Sequence, residues 1–547
     1  MSFSTRFFLT RIIDFCRNLG LGSAFVVMLS SLIHVITPPS HLQTKDVPNI
    51  ATHALENSMD RLLREVRDLF EAPLDSTRLY AMSEKLQKEF DEKLRSSNIC
   101  MLPSYQHTLP TGEERGAFLA LDVGGSTFRI ALVQLTGKDS WRNGMHIKRM
   151  KNFKIDKSVR DLKGRAFFDW MAERIQDMLE EEGKEDRHRR DSGAPPLPMG
   201  LAWSFPIKQT SESSGALLPM GKGFMATHGV EGQDLRELIM HACRQRQLNV
   251  QFENIVNDSS ATLLSQAYRD PSTRMSLILG TGTNAAVHLP VSALSKEKFG
   301  GRPQSWFDVA THVLVNTELS MYGKHVMPGS RWDDHLNETH ALPDFQPLEQ
   351  KVGGRYLGEI VRLILVEAIQ TCGLFDGQMP ERLQEPYALD TGVIAVFESD
   401  ATPSLTNACT TFQKVHPLGS PPSLTELHFV RHVSKLVSNR AAGYLATAVH
   451  ALWSLRLTVE GIVPDHAGHV TIACNGSVME KYPAFLTRCQ QYLDELTVLS
   501  GSKSHAVTLE MAPESSIGDP GWLMKAVKQV PTPFVYKPER HTEGRNR

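Results

Sequence analysis

No two of the seven cysteines, at positions 16, 100, 243, 372, 409, 474 and 489, stand close enough for a CxxC motif, and their number is odd. That argues against a disulfide framework and a zinc ribbon, and fits buried free thiols in a reducing compartment. Neither sign of charge is in excess. The chain carries 59 Lys and Arg against 61 Asp and Glu, a formal net charge of −2, so bulk electrostatics point to no nucleic-acid partner. There is no Walker loop either. In "GALLPMGKGF" the Gly221-Lys222 pair has the wrong spacing, and neither Ser nor Thr follows the lysine. No solenoid-type repeat is present.

What remains is an ordinary globular composition, 41% apolar and 22% charged, over 547 residues. At roughly 100–200 residues per domain, two domains or more are expected. The first 47 residues differ from the rest. Arg6, Arg11 and Arg17 face one acid, Asp14, and residues 19–37 contain no charged side chain. That run is about long enough to cross a bilayer. It reads as a membrane anchor, a cleaved targeting segment or an apolar extension.

Beyond it, apolar residues at helical spacing predict two amphipathic helices over residues 53–96, broken at Pro73 and the capping-like Asp75-Ser76. Further helices are predicted over 161–183, 233–248, 354–373 and 427–457, with a charged, then Pro-rich, loop at 184–200. Two strand–turn–strand units echo each other: "FLALDVGGSTFRIALVQL" at 118–135 and "SLILGTGTNAAVHL" at 276–289. A strand, "HVTIACNGSV", follows at 469–478. Strands alternating with helices give an α/β class.

The two turns are the first chemical candidates. Gly124-Gly125 permits backbone with φ > 0 and close approach of an anion to the amides. Asp122 beside them could hold a metal attached to that anion, since magnesium takes one or two carboxylates plus phosphate oxygens. A plain β-turn satisfies the same stretch. In the second turn Gly280, Gly282 and Ala285 match a loose dinucleotide pattern, but a short β-like run broken by Pro290 follows instead of a long helix. Thr281 and Thr283 suit phosphate better. Between the turns, "FENIVNDSSATLLSQ" puts Asn257-Asp258 at the end of an apolar run and the start of a helix. Asp258 reads either as a helix cap or as a general base with Asn257 beside it.

In order along the chain stand "VGGST", "SFPIKQTS", "GKGF", "VNDSSATLLS", "LGTGTNA", "NTEL", "GGRYLGEIVR" and "NGSVMEKYP". Together they resemble the eukaryotic hexokinase family, in a fungal-looking version, from about residue 50 to 530. The resemblance implies the actin-like ATPase (ribonuclease H-like) fold, with two α/β domains around a cleft: 48–270 as the small domain, 271–535 as the large one, and 536–547 as a polar tail. It implies an ATP-dependent hexose kinase acting on the sugar 6-hydroxyl, with Mg2+. Asp258 matches the catalytic base. Ser204, Lys222, Asn257, Glu318 and Glu359 match sugar-binding positions. Asp122 (indirectly, through Mg2+), Gly124, Gly125, Ser126, Thr127 and Arg129 match the first phosphate loop, Gly280, Thr281, Gly282 and Thr283 the second, and Gly476 with Ser477 the adenine side. A monomer or dimer is expected, in the cytoplasm and tethered to the mitochondrial outer membrane if residues 19–37 anchor it.

Four departures from the family pattern bear on substrate. Family "WTKGF" is "MGKGF" here, so Gly221 stands where a sugar-binding Thr is usual and Met220 replaces Trp. The lost hydroxyl and gained space make an N-acetylglucosamine kinase an alternative. Ser126 and Thr127 replace Thr and Asn, and "NTELS" loses an aromatic beside Glu318. At the nucleotide end Asn475 replaces an acid, and "ESSIGDPGW" at 514–522 brings Ser516, Ile517 and Pro520 into a glycine-rich stretch, where Pro520 deletes an amide. This leaves a third reading, a catalytically weak sugar sensor.

Overall fold

Alternating apolar stretches in a computed structural model build two sheets of like topology. The structure describes residues 47–137, 144–180, 195–221 and 223–512. Lys222, the segment at 19–37, the 514–522 motif and the polar tail lie outside the described residues. A short strand, β1 (Leu102–Pro103), precedes the first sheet. There β2 (Arg115–Val123) and β3 (Thr127–Thr136) form the first glycine hairpin. β4 (Met145–Lys154) extends it, and β5 (Leu197–Trp203) and β6 (Val250–Val256) run parallel to β2, in the order β4-β3-β2-β5-β6. In the second sheet β7 (Thr273–Leu279) and β8 (Thr283–Pro290) form the other hairpin. β9 (His312–Asn316) extends it, and β10 (Val470–Asn475) and β11 (Val507–Met511) run parallel to β7. Each sheet thus contains an antiparallel three-strand meander followed by two parallel strands. This duplication is that of the actin-like ATPase fold, and each glycine turn occupies the same place in its own sheet.

Eight principal helices cover the sheets: α1 (Val47–Glu71), α2 (Ser76–Ser96), α3 (Arg165–Glu180), α4 (Leu235–Gln245), α5 (Asp258–Arg269), α6 (Gly354–Cys372), α7 (Leu424–Glu460) and α8 (Phe485–Leu499). Their ends follow local chemistry. Asp75 caps α2 by accepting the Arg78 amide, and α7 begins with a capping box between Ser423 and Glu426. Gly373 and Gly461 end α6 and α7 with φ of 71° and 69°, a conformation favouring glycine.

One expectation is corrected. The helices before residue 100 are expected, from the family resemblance, in the small domain with the first hairpin. Instead their apolar stripes, Leu62, Val66 and Phe70 on α1 and Leu79, Leu86 and Phe90 on α2, join the second sheet's core with α6, α7 and α8. Strand β1 also pairs with β9 of the second sheet. The chain therefore passes from the second lobe to build the first, and returns through α5. The first lobe has its own core, in which Phe167 and Met171 of α3 and Leu235 and Ile239 of α4 pack on Leu119, Leu121 and Leu201. Among the described residues no helix is long and apolar enough to span a bilayer.

α2, α7 and the end of α8 meet at His450, which is buried. Its Nδ1 lies 2.7 Å from Ser83 Oγ and its Nε2 3.3 Å from Ser500 Oγ. Burial, opposed by a backbone hydrogen bond at Leu496, pushes its pKa down to about 4. A folded-state pKa below the unfolded value means that the unfolded chain binds the proton more readily, so stability is retained above about pH 6.5 and lost as pH falls from there towards 4. The expected slope from this one group is on the order of 1.4 kcal/mol per pH unit. Urea melts of the wild type and His450→Gln between about pH 7 and 4.5 check it, and the variant is expected to show a flatter dependence.

Candidate active site

The carboxyl ends of β2, β5 and β6 lie level: Val123 stands opposite Trp203, and Ala202 opposite Val256. Residues just beyond these ends therefore gather at one edge. Ser204 follows β5 and donates its N–H to Val123 O at 3.3 Å. Asp122, the last residue but one of β2, is buried and pairs across the hairpin with Arg129, whose Nη1 is 2.7 Å from Asp122 Oδ2. Gly124 N–H closes the turn onto Thr127 O at 3.0 Å. Arg160 Nη2 donates to Gly125 O at 3.0 Å, and Ile155 N–H to Ser126 O at 2.8 Å. The carbonyls are tied back into the lobe. Among the described residues, the Gly125 and Ser126 N–H groups have no such partner, as an anion-binding turn requires.

Asn257, and not Asp258, caps α5. Its Oδ1 accepts the Ser260 amide at 2.9 Å and its Nδ2 donates to Ser259 Oγ at 2.9 Å. This corrects the cap reading of Asp258, whose carboxylate at the first helical position accepts the Ser259 amide at 2.7 Å. α5 is gripped from both sides: Ala261, Leu263, Leu264 and Ala267 pack with Ala202 and Val256 of the first sheet and with Ala286 and Leu314 of the second. Asp258 thus stands where the lobes join.

From the second lobe Glu318 faces it. Glu318 follows β9 in left-handed conformation, φ 52°. Its carboxyl is pushed up, first by burial and further by the charge of Asp258, against a lowering hydrogen bond from Asn316. Asn316 Nδ2 donates to Glu318 Oε1 at 2.7 Å, while Asn316 Oδ1 accepts Asn284 Nδ2 at 2.9 Å. Asn284 sits on β8 next to Thr283, so an amide chain joins the second turn to Glu318. Neither asparagine was singled out from sequence, although both lie inside quoted motifs or beside them.

The second turn is held more firmly than the first. Gly280 N–H donates to Gly282 O at 2.9 Å. Gly280 O and Thr281 O accept the Gly354 and Arg355 amides at the start of α6, at 2.8 and 3.1 Å. Thr283 Oγ1 donates to Ile278 O at 3.0 Å. Gly476, at φ 112°, brings the end of β10 so near that a Cβ there would lie 2.3 Å from Leu279 O, and Ser477 N is beside Gly280. A residue that the sequence reading missed completes the turn. Glu349 Oε2 accepts the Thr283 amide at 2.9 Å and abuts Gly282, where a Cβ would lie 2.3 Å from the same oxygen. Nothing in periodicity or motif marks Glu349. Its role exists only because the Pro347–Val352 helix folds over the turn.

Glu359 is placed differently. It lies on α6 in a buried two-point pair with Arg362, at 2.7 and 2.6 Å, and also accepts the Tyr387 amide at 2.6 Å. Among the described residues no contact joins it to Asp258 or Glu318. Gly221 has φ 65° and no atom within 4 Å of a Cβ built there, above buried Met220. At the nucleotide end Asn475 Nδ2 donates to Ala512 O at 3.2 Å.

Family models described as hexokinase match residues 63–268 and 274–518. The chain belongs to the hexokinase family. It is 29% identical to a hexokinase of Schwanniomyces occidentalis over 74% of this chain and 79% of that one, and 28% identical to hexokinase-1 of Saccharomyces cerevisiae over 81% and 87%. A Schistosoma mansoni hexokinase solved with glucose superposes with a TM-score of 0.67 at 27% identity, covering 86% of this chain and 99% of that one. The two family matches meet between Tyr268 and Arg274, so the junction falls where α5 hands over to β7. Hexokinase character thus extends through both hairpins and α5.

Glu349 yields a prediction. A hydrogen bond to a charged group contributes about 1.5–3 kcal/mol. Glu349→Ala is therefore expected to raise KM for ATP about tenfold or more while leaving the hexose Kd unchanged. Glu349→Gln, which keeps an acceptor, recovers part of the loss. Steady-state kinetics with separate sugar-binding titrations check this, and equal loss of both affinities would point to simple unfolding.

Proposed function

We propose that this hexokinase-family chain, an ATP-dependent phosphotransferase with a sugar alcohol as acceptor, uses Asp258 as general base. The Asp258 carboxylate accepts the proton of the hexose 6-hydroxyl as that oxygen bonds to the γ-phosphorus and ADP leaves. The observation that carries the reading is the position of Asp258 at the head of α5, on the edge where β2 ends in its glycine turn, with Glu318 facing it from the second lobe. Phosphoryl transfer asks mainly for positioning and charge stabilisation. In this reading Ser204, Lys222, Asn257, Glu318 and Glu359 take the sugar hydroxyls. The turns at Gly124–Thr127 and 280–283 take the phosphates, with Arg129 holding Asp122 in place. Gly476 and Ser477 line the adenine side. Glu359 would exchange its Arg362 partner for sugar on binding.

Magnesium fits this donor set, because a single buried carboxylate, Asp122, stands beside an anion-binding turn. Among the described residues no cluster of three metal ligands exists, so the ion would arrive on the nucleotide and keep several waters. Bound there, it would neutralise charge on the phosphates.

The substrate reading is glucose. A second reading, N-acetylglucosamine, is favoured by one observation, the open space at Gly221, whose positive φ also disfavours the Thr usual in the family. Six cysteines in the described residues are free, which suits a cytosolic body, and a mitochondrial outer-membrane tether through residues 19–37 keeps it there with access to ATP. The assembly proposed is a monomer or a dimer.

The full chain assayed with ATP and each sugar separates these readings. Asp258→Ala is expected to lower kcat by about 10²–10⁴-fold with sugar still bound. Turnover only with the acetamido sugar would select the second reading. Sugar binding without turnover on any hexose would make the chain a sensor and sink the assignment of Asp258.

A further inference from the structure

At the opposite end of the second sheet from its glycine turn, a row of basic side chains crosses three adjacent strands. Arg274 is the second residue of β7, and His288 lies near the end of β8. His312 opens β9. Register brings them together: Val287 pairs with Met275 and Pro290 with His312, and the two imidazoles stack at 5.0 Å with 21° between their planes. The last turns of α7 lie against this row and add Arg456 and Glu460. These five, with Leu109, line a cavity of about 340 Å³. A smaller one, about 190 Å³, adjoins the same two arginines beside Ser272 and His469. Along β7, the distance from Arg274 to the turn at Gly280 is roughly 20 Å, at about 3.3 Å per residue.

The charges here are unevenly matched. Two guanidinium groups meet one carboxylate in the lining. Glu460 takes Arg456 Nη2 at 2.6 Å. Arg274 Nη1 is bound to the carbonyls of Pro271 and Thr273 at 2.6 and 2.8 Å. Burial, and then the like charge of Arg456, lower the Arg274 pKa, against the raising charges of Glu460 and Asp270. Asp270 is occupied by Ser272, whose amide and hydroxyl it accepts at 2.9 and 2.8 Å. Arg456 is buried, and its Nε has no hydrogen-bond partner among the described residues. Burial first, and then the neighbouring His312, hold His288 neutral, with its pKa down at about 3.

We propose that this cavity is a second ligand site, separate from the glycine turns, that takes a small phosphate dianion, either inorganic phosphate or a phosphate monoester. Guanidinium edges and the His312 imidazole supply convergent donors, the one N–H of neutral His288 being directed to His107 O at 3.5 Å, and a dianion removes the repulsion between the two arginines. The volume holds a phosphate with a short organic substituent. Nothing in the proposed phosphotransfer uses these residues.

Isothermal titration tests it on the full chain, with hexose and a non-hydrolysable ATP analogue present so that the glycine turns are filled. Inorganic phosphate and glycerol 2-phosphate are the probes, with sulfate at equal ionic strength as the control. One phosphate per chain is expected. Its affinity should fall at least about tenfold in Arg274→Gln and in His312→Ala, with KM for ATP unchanged in both. His312→Ala keeps the test sound if Arg274→Gln fails to fold, since among the described residues His312 makes its side-chain hydrogen bond only to its neighbour Thr311. Tighter binding of one probe names the source of the ligand. No binding beside the nucleotide, undiminished affinity in the variants, or equal binding of sulfate would overturn the proposal.

Discussion

Helix α5 is the part on which the rest of the site depends. Its small and branched apolar residues are packed by strands of both sheets, so the helix is held by contacts from both lobes. Asn257 satisfies the open amide at its amino terminus. Asp258 is thereby held at the head of the helix, where its carboxylate accepts the Ser259 amide. A carboxylate carried on a loop would lack this register.

The two glycine turns are alike in topology and unlike in support. The first is tied back through its carbonyls by Arg160 and Ile155, and its Asp122 is braced by Arg129. The second is clasped from outside, by the start of α6 on its carbonyls and by Glu349 on an amide. In the proposed reading, a carboxylate so close to the turn would add repulsion towards a phosphate as well as order, and its geometry would be a compromise between the two. The Asn284–Asn316–Glu318 chain carries that order across to the side that faces Asp258. Displacement of the second turn would be felt at Glu318 through two amide side chains.

Much of the architecture was legible because it rests on local signals. The glycine hairpins, the Asp75 cap of α2, and Gly373 at the end of α6 are written in neighbouring residues, and each appears where periodicity and turn chemistry place it. The motif order across both lobes pointed to the family, which the matches bear out. What misled was assignment between lobes: an amphipathic stripe on α1 or α2 states that a face is buried, not which sheet buries it.

By itself, then, the sequence determined the elements, the two turns, the candidate base and the family. Tertiary structure alone decided that α1 and α2 pack on the second sheet, and that Glu349 closes the second turn. The reason is range. Caps, turns and periodicity are settled over a few residues, whereas Glu349 meets Thr283 across 66 positions of chain. Contacts of that kind depend on which surfaces the folded lobes bring together, and no short stretch encodes them.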